Sequence, residues 1–228
     1  MKPATPHFYK HRQRLKERFV KAGLDAFLDY EVLELLLIYA IPRKDVKPLA
    51  KNLLHRFGSL KNLLDASPTE IESVRGVSSH TSTLLKLIKE MGTIYLREKA
   101  REKPQIGSTR ELLQYCMSAM GGLKNERFSV VFLNTQNRII KDEIIQEGTV
   151  NQAVIYPRKV LEHALLLKAS ALILVHNHPS GVVNPSNADI QLTKAIHDTA
   201  RTLDIAVHDH IIIGDNCYYS FREEGLIP

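Results

Sequence analysis

The most informative stretch of the chain runs from residue 171 to residue 189 and reads ALILVHNHPSGVVNPSNAD. Its first five residues are apolar, and a short apolar run bounded by turn residues is typical of a buried strand. His176 and His178 follow this run directly. Alternate residues of an extended chain lie on the same face, about 6.6 Å apart at their Cα atoms. The sequence therefore predicts a buried strand that ends in two imidazoles on one face.

Two residues beyond the strand extend this pattern. Ser186 and Asp189 have the spacing of a helix N-cap and its third helical residue, which predicts a capping box. In that first turn the helix dipole keeps the Asp189 carboxylate ionised, so that it can join His176 and His178 around one ion. Such a set is typical of catalytic zinc, because a fourth position stays open to water. A plain capping box also explains Ser186 and Asp189, and the two interpretations are compatible.

An attacking water needs a base to accept its proton. Glu126 is the candidate, because it lies just before a strand-like run from 128 to 133. We therefore expect Glu126 to come near the two histidines in the folded chain.

The rest of the second half is mixed α/β. Residues 128–133 and 139–145 flank a turn rich in asparagine and glutamine, which predicts a β-hairpin. Periodicity predicts four further elements. They are helices over about 157–168 and 186–203 and strands over 205–213 and 218–221.

The first half of the chain is predicted to be helical, because its apolar residues recur at three- and four-residue spacing. This pattern ends at the proline and glycine of residues 103–107. We place the domain boundary there, with a helical domain over 1–102 and a mixed domain over 106–228. The predicted fold class is α/β, of the α+β kind.

Composition excludes several classes of protein. The chain has 228 residues, of which 44% are hydrophobic and 25% charged, as in soluble globular proteins and unlike disordered, collagen-like or coiled-coil chains. Two cysteines are too few for a secreted disulfide scaffold or a cysteine-based zinc knuckle. No apolar run approaches the ~18–20 residues that span a bilayer, and the first nine residues lack a signal-peptide core. We expect a cytoplasmic protein with no membrane contact.

The charge is unevenly distributed. Residues 1–104 hold 20 Lys and Arg against 12 Asp and Glu, whereas residues 105–228 hold 11 against 13. A basic first half indicates an anionic partner such as DNA. Lysine-rich solvated helical faces explain the same charge without any partner.

The His176-x-His178, Ser186 and Asp189 pattern resembles the JAMM signature of MPN-plus metalloproteases. The longer string HNHPSG at 176–181, followed by Pro185, resembles the bacterial RadC-like proteins, historically called DNA repair proteins. Further matching pieces are Glu147-Gly148-Thr149-Val150, Tyr156-Pro157-Arg158, Asp209-His210-Ile211-Ile212 and Ser220-Phe221-Arg222-Glu223. The resemblance is strong over about 106–228 and looser in the helical half.

This resemblance implies an MPN/JAMM fold with zinc bound by His176, His178 and Asp189. It implies that Glu126 is the general base and that Ser186 hydrogen-bonds the oxyanion of a tetrahedral intermediate. The reaction of the wider class is hydrolysis of peptide or isopeptide bonds. For RadC-like members the natural substrate is not established.

Residues 57–77 resemble a helix-hairpin-helix segment, in which a glycine turn offers backbone N–H groups to a DNA phosphate. The sequence departs from that pattern at Ser78, where the family usually has a second glycine. A helical bundle that binds only proteins is the alternative.

Three functions remain open at this point. The first is a JAMM-type zinc hydrolase brought to DNA, or to a DNA-bound protein, by its helical domain. The second is a metal-dependent phosphodiesterase acting on DNA. The third is a DNA-binding adaptor without catalysis, in which the metal is structural.

Four other histidine and cysteine residues lie in parts of the sequence that match no functional motif. His208 and His210 can supply a second metal or contact the first site. A half-exposed strand whose polar residues face solvent or the neighbouring helix is the commoner explanation. Cys116 and Cys217 are predicted to be small buried residues. The tripeptide His-Asn-His is not an HNH nuclease motif, whose residues are dispersed through a ββα unit.

Overall fold

The computed structural model describes residues 7–105, 109–148 and 155–227, with side chains from residue 10 onward. It divides into two compact units, residues 1–90 and 91–228. The predicted boundary between 102 and 106 stays a prediction. Some predicted positions lie outside the described residues. They are residues 1, 106 and 228, which end the two predicted domains, and Thr149 and Val150, which belong to the sequence pieces that resemble the family.

The first unit is helical, as predicted. Its helices are α1 (His7–Ala22), α2 (Asp29–Ala40), α3 (Lys47–Phe57), α4 (Leu60–Asp65), α5 (Pro68–Glu72) and the first half of α6 (Ser79–Arg101). They enclose one apolar core, to which α2, α3, α4, α5 and α6 contribute Leu33, Leu53, Leu63, Ile71 and Leu85 respectively. None of the helices in the described ranges is long and apolar enough to cross a bilayer.

The second unit is a mixed sheet with helices on both faces, which confirms the predicted fold class. Its helices are α7 (Arg110–Met120), α8 (Pro157–Leu166) and α9 (Asn187–Arg201). Its strands are β1 (Arg127–Leu133), β2 (Ile139–Glu147), β3 (Ala171–Asn177), β4 (Ala206–Ile213) and β5 (Tyr218–Ser220). The strand order is β2-β1-β3-β4-β5.

Apolar side chains fill both faces of the sheet. On one face, α8 and α9 pack against alternate residues of β1 and β3 such as Val130 and Leu174. On the other face, α7 packs against the intervening residues, among them Val131 and Ile173. All seven residues of β3 are buried, which explains why the strand reads as a continuous apolar run.

The pairing of β3 determines where functional residues can lie. β3 pairs antiparallel with β1 and parallel with β4, and α9 is the crossover between the two parallel strands. Ligands of such units bind outside the carboxyl ends of the parallel strands, where the crossover helix begins. His176 lies at that end of β3, and Asp189 lies in the first turn of α9.

A β-bulge separates the two histidines of β4. Leu172 pairs with Val207 and Ile173 with Asp209, so His208 is an extra residue in the ladder. A bulge of one residue reverses the side-chain alternation on the strand that carries it. His208 Nε2 accordingly lies 2.6 Å from Asn137 Oδ1 in the β1–β2 turn, whereas His210 is fully buried on the opposite face. The two residues do not form a second metal pair.

The two cysteines lie in different environments. Cys116 is buried in α7, as predicted, but Cys217 is exposed, so the prediction that both are buried is wrong. Cys217 lies in the short connection between β4 and β5, where the side chain has no core to pack into. Burial raises the pKa of the Cys116 thiol to about 12.

We expect the two thiols to differ sharply in reactivity, because the thiolate is the reacting species and Cys116 is both buried and protonated. Titration of the native protein with a chromogenic disulfide at pH 8 should modify one thiol per chain. Cys217→Ser should abolish this reaction, and two thiols should react in denaturant. Fast modification of Cys116 in the folded protein would contradict the packing of α7.

Candidate metal centre

The end of β3 and the start of α9 bring three predicted ligands together. His176 Nε2 lies 2.9 Å from His178 Nε2. The Asp189 carboxylate faces both rings, with Oδ1 3.4 Å from His176 Nε2 and Oδ2 3.7 Å from His178 Nε2. Among the residues that the structure describes, these form the one cluster of three or more His, Cys, Asp or Glu side chains with the spacing of metal ligands. That they bind a metal stays a prediction.

The hydrogen bond of His178 determines which of its ring nitrogens carries the proton. Its Nδ1 lies 2.6 Å from the carbonyl oxygen of Val182. A carbonyl oxygen only accepts, so Nδ1 is the donor. In the neutral ring Nε2 is therefore unprotonated, and its lone pair points at the cluster.

A longer chain of hydrogen bonds determines the tautomer of His176. The Thr193 hydroxyl donates its only proton to the Asp189 backbone carbonyl, at 2.5 Å. It must then accept from His210 Nδ1, which also lies 2.5 Å away. His210 Nε2 is left as an acceptor, so it receives the His176 Nδ1 proton across 2.8 Å. His176 Nε2 is consequently unprotonated as well.

Two imidazole lone pairs therefore face each other at 2.9 Å beside an anionic carboxylate. Lone pairs this close repel unless a positive charge lies between them. A proton or a metal ion meets this requirement, and the donor set of two histidines and one carboxylate is the one that catalytic zinc sites use. The side chains present thus fit a bound zinc ion.

The surroundings favour the neutral form of His176 and the ionised form of Asp189, as metal ligation needs, whereas they favour the protonated form of His178. Burial lowers the pKa of His176 to about 4, and burial also holds the pKa of His210 well below its usual value. Burial alone would raise the pKa of Asp189, but its contacts with His178, His176 and Ser186 outweigh this and hold that pKa well below the ordinary range. The contact with Asp189 raises the pKa of His178.

Asp189 also closes the capping box that the sequence predicted. Its Oδ2 accepts from the backbone N–H and the hydroxyl of Ser186, both at 2.7 Å, and its own N–H donates to Ser186 Oγ at 3.2 Å. Because Oδ1 faces His176 while Oδ2 caps the helix, the capping and ligand interpretations hold together. The Ser186 hydroxyl is already a donor to Asp189, so its predicted oxyanion role requires that hydroxyl to change its acceptor.

Glu126 lies on the wall of the cavity that the cluster opens into. This cavity has a volume of about 390 Å³, and His176 and Asp189 line it as well. The charge of Glu126 contributes to raising the pKa of His178. Glu126 thus shares a cavity with His176 and Asp189, and its role as a base stays a prediction.

Asn177 is a residue of the site that sequence reasoning missed. Its Oδ1 accepts the Arg127 N–H at 2.9 Å, and its Nδ2 donates to the Asn125 carbonyl at 3.1 Å. The two bonds hold the peptide units on both sides of Glu126. The sequence did contain a signal for this role. An amide side chain at the end of a buried strand needs hydrogen-bond partners.

Thr193 and His210 were also left without a role by the sequence. Thr193 lies four residues after Asp189, which places both on one face of α9. His210 contacts the first site, one of the possibilities left open for it. It is buried and faces Thr193 of the neighbouring helix α9 rather than solvent.

Comparison with known families agrees with this geometry. A family model described as RadC-like JAB domain matches residues 106–226, and one described as UPF0758 N-terminal matches residues 8–83. The chain belongs to the RadC-like JAB domain family. The resemblance found in the sequence is thereby confirmed. The JAB domain has a metalloprotease-like fold, and in this RadC-type chain β3 and α9 present its His-His-Asp cluster.

We expect His210→Leu to weaken zinc binding by about 10- to 100-fold, the usual effect of removing the partner of a ligating histidine. Leucine cannot accept the His176 Nδ1 proton, so the ring loses its fixed orientation. His210→Gln, which keeps an acceptor oxygen, should lose less. Competition with a chromophoric chelator measures the affinity, and circular dichroism checks the fold. A folded His210→Leu variant with unchanged affinity would refute the tautomer assignment.

Proposed function

We propose that this chain is a zinc-dependent hydrolase of peptide or isopeptide bonds. His176, His178 and Asp189 would hold the zinc. The observation that carries the proposal is the convergence of three side chains, with the Nε2 atoms of His176 and His178 2.9 Å apart and the Asp189 carboxylate 3.4 Å from the first of them. Zinc bound there would supply Lewis acidity toward a carbonyl group and toward water.

The residues of the chain supply proton transfer and positioning. Glu126 would accept the proton of the attacking water and return it to the leaving amine, since a carboxylate near a reacting atom acts as base and then as acid. Asn177 holds the backbone on both sides of Glu126, which favours a fixed distance between that carboxylate and the cluster. Ser186 would orient the substrate carbonyl after its hydroxyl leaves Asp189 Oδ2.

Two observations count against the phosphodiesterase alternative. Two-metal sites are common in that chemistry, whereas the described residues contain a single cluster with metal-ligand spacing. Apolar side chains such as Ile155 and Leu192 also line the cavity, and burying a phosphodiester anion against apolar groups is unfavourable.

Metal analysis and a conservative variant test the hydrolase. We expect about one zinc per chain in the wild type and loss of zinc in the His176→Ala/His178→Ala double variant. Glu126→Gln should keep its zinc, because Glu126 is not a ligand, yet lose at least 100-fold in cleavage of a peptide library. A zinc content in the double variant equal to that of the wild type would contradict the proposal.

The same Glu126→Gln variant separates catalysis from an adaptor role. The variant is expressed in a strain that lacks the gene. If the protein is an adaptor without catalysis, Glu126→Gln should restore the phenotype as well as the wild type does. Loss of complementation by a folded, zinc-loaded Glu126→Gln protein would exclude the adaptor.

For the first unit we propose contact with the phosphate backbone of DNA. Gly76 lies in the turn between α5 and α6 with φ of 98°, a conformation that favours glycine. Ser78 is not among the described non-glycine residues with positive φ, so serine suits the position where the family usually has glycine. Lys44, Arg75 and Asp45 share with Gly76 a cavity of about 370 Å³, and the two basic side chains outnumber the one acidic side chain, which favours an anionic ligand.

We expect Lys44→Glu/Arg75→Glu to weaken DNA binding without regard to sequence. The slope of log K against log salt should fall by about 2, since each lost phosphate contact removes about 0.9. Fluorescence anisotropy with a labelled duplex measures this slope. Lys194→Glu/Arg201→Glu, the same charge change on α9, is the control. Equal effects of the two double variants would show that only net charge matters.

A further inference from the structure

We propose that the cavity beside the His-His-Asp cluster is a specificity pocket for one large apolar side chain of an extended peptide substrate. The pocket would hold the residue next to the bond that is cleaved. That the bound peptide is a substrate rests on the proposed function, whereas the preference for an apolar group follows from the cavity itself.

One wall of the pocket is a single face of α9. Ala188, Gln191, Leu192 and Ala195 line it, and their spacing of three, four and seven residues places them in one stripe of the helix. The two alanines have short side chains, which leaves open space along that stripe. Asp189 lies directly after Ala188, so the stripe begins at the cluster.

Three of the lining residues outside α9 are apolar as well. They are Phe128, Ile155 and Pro157, and Phe128 is buried against the core. The Phe128 ring is stacked with the His176 ring at a centroid distance of 6.2 Å. The same aromatic side chain therefore forms part of the pocket and supports a candidate ligand.

The charges at the cavity restrict what can enter it. Glu126 and Asp189 lie at the end shared with the cluster, and their carboxylates repel an acidic side chain. Arg127 also lines the cavity, and its guanidinium forms an ion pair with Glu147 at 2.8 Å. An apolar side chain gains from the walls without needing a partner for a charge.

The volume suits one side chain with its adjoining backbone. About 390 Å³ lies at the small end of the range of ~300–1,000 Å³ for ligand pockets. A leucine- or phenylalanine-sized group in the pocket would place its own backbone beside His176 and Asp189. The pocket thus determines which peptide bond meets the cluster.

Binding of an uncleaved probe tests the pocket separately from catalysis. Acetyl-Ala-Leu-Ala-amide, added to metal-free protein, should shift the NMR signals of the Ala188 and Ala195 methyl groups, and acetyl-Ala-Asp-Ala-amide should not. Ala195→Phe fills the pocket and should weaken leucine-peptide binding at least tenfold. Lys194→Phe places the same bulk on another face of α9 and should leave binding unchanged. Absence of binding, or equal binding by Ala195→Phe, would overturn the proposal.

A peptide library incubated with the zinc-loaded full chain then tests the role in cleavage. Mass spectrometry of the products should show Leu, Ile, Met or Phe enriched at one position beside the cleaved bond. Ala195→Phe should shift that position toward Ala and Gly while keeping its zinc. Cleavage with no such preference would overturn the specificity role. Binding of the leucine peptide without any cleavage would overturn the hydrolase and leave the pocket supported as an apolar peptide-binding site.

Discussion

The candidate site depends on a chain of hydrogen bonds that ends at a backbone carbonyl, and this carbonyl determines which group donates in each bond. The Asp189 carbonyl accepts the Thr193 hydroxyl, which leaves Thr193 as acceptor for His210 and His210 as acceptor for His176. Every proton in the chain is placed by the fact that a carbonyl cannot donate. The result is a lone pair on His176 Nε2, which is what metal ligation requires.

Burial of these polar rings costs free energy, which other parts of the fold offset. His176 and His210 are buried together, and burial of polar rings is unfavourable unless each is hydrogen-bonded. The bonds of the chain satisfy both nitrogens of His210 and Nδ1 of His176, and the aromatic rings of Phe128 and Phe221 pack against the two imidazoles. The surrounding apolar packing of β1, β3 and α9 holds the polar groups in place. Functional sites commonly combine local strain or polarity with support from the core.

Asp189 shows how one carboxylate can serve both the fold and the chemistry. One oxygen caps α9 through Ser186, and the other faces His176. Because the cap holds the first turn of the helix, the ligand oxygen is oriented before any metal arrives, and preorganisation lowers the cost of binding. The same helix then provides one wall of the apolar cavity. A change in α9 would therefore affect the cap, the position of the Asp189 carboxylate and the wall of the cavity together.

The sequence by itself determined the elements, the class of fold and the three side chains that cluster, because these depend on short-range patterns. The apolar run of β3, the His-x-His alternation and the Ser-x-x-Asp cap are all local, and the structure has each of them. Only the tertiary structure decided the roles of Asn177, Thr193 and His210, and the exposure of Cys217. His210 reaches His176 because β4 pairs parallel to β3 with a bulge at His208, and strand register between distant segments is a matter of global packing that no local pattern specifies.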